Sequence, residues 1–121
     1  MTFGEPDLAA LAAVEEVQIE TRSSEGDAHR TIIWPVVHDG VVLIRSYRGP
    51  GARWYREALA DPEVTIHLDG RGLPARVILA TDPETVAACS AAFKAKYSTD
   101  PALAAMVRAE VLPTTMRVEP R

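Results

Sequence analysis

The stretch Thr31-Ile32-Ile33-Trp34-Pro35-Val36-Val37-His38-Asp39-Gly40-Val41-Val42-Leu43-Ile44-Arg45-Ser46 decides the fold. Two apolar runs rich in β-branched residues, 31–37 and 41–44, flank His38-Asp39-Gly40. Asp-Gly between such runs is a strong hairpin signal, because a two-residue turn needs positive φ and glycine adopts it without steric cost. Pro35 has no N–H to give to a ladder, so its strand is expected to meet an edge or a bulge there.

The same alternation extends outward. Upstream, residues 16–22 place Val17, Ile19 and Thr21 on one side and Gln18, Glu20 and Arg22 on the other, a half-buried strand preceded by a short helix over 6–14 with Asp7 as its cap. Downstream, Gly49 and Gly51 mark a loop that leads into a helix over 53–60, which Asp61-Pro62 ends. Val64, Ile66 and Leu68 alternate with polar residues, and Asp69-Gly70-Arg71-Gly72 turns the chain into a strand over 73–80. Thr81-Asp82-Pro83-Glu84 combines a cap, an early proline and an acidic first turn, and Val86, Cys89, Phe93 and Tyr97 follow at helical spacing. Asp100-Pro101 repeats the start signal ahead of Leu103, Met106, Val107 and Val111, and a last strand spans 114–118. This predicts a mainly β protein with inserted helices, a six-stranded antiparallel split β-barrel with helices after the third and fifth strands.

With 121 residues, 47% of them apolar, the chain is expected to form one domain over 1–121 with one core and no need of disulfides. No apolar run reaches membrane-spanning length, and residues 1–7 carry no secretory signal, so a cytoplasmic location and no membrane partner are expected. Cys89 lies in an Ala-rich helical stretch and reads as a core residue. A net charge of -4 opposes nucleic-acid binding. Yet four arginines, Arg45, Arg48, Arg53 and Arg56, fall within twelve positions.

These arginines read either as an anion site or as a solvated cluster paired with Glu57, Asp61 and Glu63. Arg30 opens the second strand and Arg45-Ser46 ends the third, so hairpin pairing is expected to bring two guanidinium groups together beside Thr31. Gly49 and Gly51 would let backbone amides approach the same anion. His29, His38 and His67 have no metal-site spacing. Tyr47 and Tyr55 are expected to flank the pocket.

The order of Arg30, the Asp39-Gly40 hairpin, Ser46, Gly49, Trp54-Tyr55 and Asp61-Pro62-Glu63-Val64 resembles the FMN-binding split-barrel superfamily. Within it the chain is most similar to deazaflavin-dependent nitroreductase-like proteins. The resemblance covers residues 21–68, with a weaker echo at Val118-Glu119-Pro120. It implies a homodimer with a cofactor, FMN or a deazaflavin coenzyme, near the dimer interface. By the same resemblance Arg30 and Arg45 contact the phosphate, and Thr31 and Ser46 hydrogen-bond beside them. Ile32, Ile33 and Trp34 run their backbone along the ring system, while Arg53, Trp54 and Tyr55 form the helix that closes over the phosphate and tail. Two departures suggest an uncharacterised branch. Arg22-Ser23-Ser24-Glu25-Gly26 stands where relatives carry a Gly-Arg-Lys-x-Gly turn, and Glu57-Ala58 stands in place of Asn-Leu. The implied activity is an oxidoreductase that passes hydride to a small-molecule substrate. The other reading is a non-enzymatic barrel for a flavin-like or other small anionic ligand.

Overall fold

A computed structural model describes residues 2–121. Helix α1 (Glu5–Ala13) leads into β1 (Val17–Arg22), β2 (Ala28–Ile33), β3 (Val36–His38) and β4 (Val41–Ile44). Helix α2 (Arg53–Ala60), β5 (Glu63–Leu68), β6 (Arg71–Leu79), α3 (Pro83–Lys96), α4 (Leu103–Val107) and β7 (Met116–Pro120) follow, with short 3-10 segments at Gly49–Gly51 and Ala109–Thr114. The strands form one antiparallel sheet in the order β2-β1-β5-β6-β7-β4-β3.

The architecture is the expected mainly β split barrel, with seven strands rather than six and helices after the fourth and sixth. The difference lies in the run 31–37. It breaks at Trp34-Pro35 into β2 and β3, which occupy opposite edges of the sheet. Two residues can link opposite edges only if the sheet curls until those edges approach, so the missing proline donor marks the split of the barrel. The Asp39-Gly40 turn therefore joins β3 to β4, with φ of 49° and 75°, and Asp69-Gly70 joins β5 to β6 with 50° and 77°. Helix α2 spans the expected residues 53–60. Helix α1 begins at Glu5 with Gly4 as its cap, and Asp7 sits inside its first turn.

Val17, Ile19, Val64, Ile66, Leu68, Val77 and Val118 fill the barrel interior. A second cluster, Val36, Leu43, Cys89, Phe93, Tyr97 and Met106, lies where α3 and α4 cover β3 and β4. Strand β4 is thus packed on both faces, which explains its continuous apolar run. At the split, Trp34 stacks on Tyr97 with ring centroids 3.9 Å apart, and Lys96 Nζ donates to Pro35 O at 2.6 Å.

Candidate functional site

Strand β2 ends, β4 ends and α2 begins at one corner of the barrel, and a cavity of about 340 Å³ lies between them. Thr31, Ile32, Ile33 and Trp34 form one wall, and Arg45, Tyr47 and Arg48 form another. Ala52 and Trp54 approach from the start of α2, and Ala102 and Met106 come from the α4 region. The volume is at the lower end of the range of about 300–1,000 Å³ typical of small-molecule pockets. Its lining is mostly apolar, with two arginines and no carboxylate.

Six of the ten residues expected at a cofactor site meet here: Thr31, Ile32, Ile33, Trp34, Arg45 and Trp54. The expected convergence of Arg30 with Arg45 does not occur. Arg30 pairs with Glu20 across β1, its Nε lies 3.6 Å from Glu20 Oε1, and it borders a separate depression with Gln18 and His67. The hairpin partner of β4 is β3, which carries no arginine, so Arg30 and Arg45 belong to strands that do not pair.

Ser46 is buried in its own turn, where its Oγ donates to Gly49 O and its N–H donates to Thr114 Oγ1. Arg53 faces a shallow groove on the other side of α2 with Arg22 and Arg56. Tyr55, expected to flank the pocket, packs in the barrel core edge-on to Trp54, and burial pushes its pKa up. Tyr47 does stand at the cavity, 53% exposed, beside the 57% exposed Ile32.

Arg45 is almost wholly enclosed, 1% exposed. Its Nε donates to Thr115 Oγ1 at 2.9 Å, Nη1 to Ser90 Oγ at 2.9 Å and Met106 O at 3.0 Å, and Nη2 to Val86 O at 2.8 Å. These acceptors are neutral, and burial lowers the pKa of the guanidinium. Arg48 is exposed, and no carboxylate among the described residues pairs with it. It was visible in the sequence as one of four clustered arginines. Ala102 and Met106 had no such signal, because they reach the cavity only through tertiary packing.

Behind α2, Glu57 holds the helix to the sheet. Thr21 Oγ1 donates to Glu57 Oε1 at 2.8 Å, and His29 Nδ1 lies 3.0 Å from Oε2. Burial opposes ionisation of Glu57, but the hydrogen bonds from Thr21 and His29 outweigh it and leave the pKa below its ordinary value. Among the described residues no His, Cys, Asp and Glu cluster could hold a metal ion, and no helix is long and apolar enough to cross a membrane.

Residues 7–118 match a family model described as an uncharacterized protein conserved in bacteria (DUF2255). The chain belongs to this family. No protein of curated function matches the DUF2255 chain. Solved structures do. A conserved hypothetical protein from Mycobacterium tuberculosis, Rv2991, aligns with a TM-score of 0.77 at 18% identity, over 100% of this chain and 82% of that one. An F420-H2 dependent reductase, FDR-A, aligns at 0.63 and 17% identity, over 87% of this chain and 94% of that one. HutZ, the heme storage protein from Vibrio cholerae, aligns at 0.66 and 11% identity, over 97% and 89%. At these identities the similarity establishes the split-barrel fold.

Proposed function

We propose that this DUF2255 chain is a flavin- or deazaflavin-dependent reductase that binds its cofactor in the cavity at the barrel split. The observation that carries this reading is the lining itself, an apolar and aromatic slot with two arginines and no carboxylate. Such a lining suits a planar ring that carries an anionic substituent. The structural likeness to an F420-H2 dependent reductase supports it.

The residues present fit the ring system and redistribute the anion contacts. Ile33, Trp34, Trp54 and Met106 offer apolar and aromatic surface to a ring, and the backbone of Thr31 to Trp34 offers amides and carbonyls along an edge strand. Arg48 at the mouth would meet the phosphate, with Thr31 beside it. Arg30 and Arg53 line separate depressions and would reach only a tail that leaves the cavity. Ser46 and Tyr55 would act from behind, by shaping the turn and the helix that carry the lining residues.

A bound flavin or deazaflavin supplies hydride transfer. The chain's own part is to orient the ring, to keep water from it with Trp54 and Trp34, and to offer the Tyr47 hydroxyl at the mouth, where a small organic substrate would enter. We also propose that a second copy covers the exposed Ile32 and leaves the mouth at Tyr47 open, in line with the homodimer that the family resemblance implies.

Purified protein mixed with reduced FMN or reduced F420 and a quinone or nitroaromatic acceptor tests the proposal. The expected result is acceptor-dependent reoxidation of one cofactor above the protein-free rate. Stoichiometric binding without turnover would favour the non-enzymatic carrier, and absence of both would overturn the proposal.

A further inference from the structure

The chain holds two lysines, Lys94 and Lys96, and the fold treats them differently. Lys94 is exposed on α3, whereas Lys96 is half-buried. Lys96 Nζ donates to Leu11 O near the end of α1 at 3.0 Å and to Pro35 O at the barrel split at 2.6 Å, and no carboxylate among the described residues pairs with it. Its side chain also forms part of a groove of about 520 Å³ between α1, β3 and α3, whose apolar walls are Ala12, Val36, Val37, Ala91, Ala92 and Ala95. This groove shares no lining residue with the cavity at the split.

An ammonium carries three N–H groups, and a free amine carries two and a lone pair. Two carbonyls therefore satisfy the amine completely, while the third N–H of an ammonium finds no acceptor among the described residues. The titratable groups around Nζ do little to hold the extra proton. Tyr97, whose ring centroid lies 5.2 Å away, has a hydroxyl that burial keeps protonated and that donates to Glu15 O and Pro35 O. The carboxylates of Glu15, Glu16 and Asp100 push the Tyr97 hydroxyl up further, and His38 enters the groove from β3, but the shift of Lys96 itself comes from burial, which brings its pKa down to about 8. A lysine desolvated in apolar surroundings is an activated nucleophile.

We infer that Lys96 is a modification site whose amine takes a short, neutral acyl group from a thioester. The nitrogen lone pair attacks the thioester carbonyl carbon. A C–N bond forms as the C–S bond breaks, sulfur leaves as a thiolate, and the proton shed by nitrogen passes to that thiolate or to water. The amide nitrogen that results keeps one N–H for Leu11 O, while Pro35 O retains the Tyr97 hydroxyl at 3.2 Å, so neither carbonyl loses its last donor. The alanine walls offer apolar room for an acetyl methyl, whereas a carbamate formed with carbon dioxide would bring a full negative charge to the same walls.

The full chain incubated with acetyl-CoA at pH 8 tests this, with tandem mass spectrometry of the peptide that carries both lysines to locate the acetyl group. At that pH about half of the Lys96 amines are free, against roughly one in 250 for an ordinary lysine amine. Nucleophilicity falls with basicity, as it does among thiols with a slope of about 0.5, which leaves roughly a tenfold advantage. Lys96 should therefore be acetylated about tenfold faster than Lys94 in the folded chain, and the two should react alike in concentrated urea, where the groove is lost. No acetyl group on Lys96, no preference for it over Lys94, or a preference that persists in urea would overturn the inference. Each of these results leaves the cofactor reading untouched, because the groove lies outside that cavity.

Discussion

At the scale of single residues, Arg45 and Lys96 each keep a charged group inside the protein with no carboxylate partner among the described residues, with different consequences. Arg45→Met removes the donor shared by Thr115 Oγ1, Ser90 Oγ, Met106 O and Val86 O. Urea denaturation should show a loss of about 2–4 kcal/mol, since buried acceptors are left unpaired. Lys96 Nζ donates to Leu11 O at 3.0 Å and to Pro35 O, and burial pushes its pKa down to about 8 from the ordinary 10.5. Between those values the unfolded chain binds more protons than the folded one, so this group makes stability rise with pH. The penalty is full below about pH 8 and gone above the unfolded value. Denaturation midpoints of the protein and of Lys96→Met at pH 7.5 and pH 10 should differ by that rise, which the variant lacks. In the sequence Arg45 stood out because a charge closes an apolar strand. Its four partners, 41 to 70 residues away, were not legible.

At the scale of elements, local chemistry was read well where it acts alone. Asp39-Gly40 forms a tight turn with both φ positive, so its partners are fixed by two residues. Gly40→Ala should cost about 1 kcal/mol in thermal or chemical denaturation. Nothing lies within 4 Å of the added Cβ, so the cost is conformational rather than steric. Asp82 likewise caps α3 as its motif announced, with Oδ2 accepting from Thr85 N. Strand pairing, by contrast, is decided by the whole sheet and is not legible in a local pattern. The run 31–37 gives no local sign that its halves lie at opposite edges beyond the presence of Pro35, so the sequence pattern points Arg30 to a hairpin that β3 forms instead. Glu57, a departure from the resembled pattern, proved to be the tether of α2 through Thr21 and His29. Because its carboxyl pKa is lowered, its contribution is full above the ordinary 4.5 and is lost as pH falls through the folded value. Glu57→Gln should flatten the acid limb of a stability–pH profile.

At the scale of the molecule, curling the sheet until β2 and β3 approach creates the corner where the cavity lies. The barrel class was legible from period-two patterning and turn chemistry, while the contribution of α4 to the cavity was not. On the proposed assembly, sedimentation should give twice the 13.1 kDa chain mass, and Ile32→Glu should shift it toward the monomer. The protein holds two tryptophans, Trp34 and Trp54, and both line the cavity. Their emission therefore reports occupancy of the site directly. Titration with FMN and with F420 should quench most of it with one of the two, saturating at one ligand per chain. Emission unchanged by either, with equilibrium dialysis showing neither retained, would contradict the account.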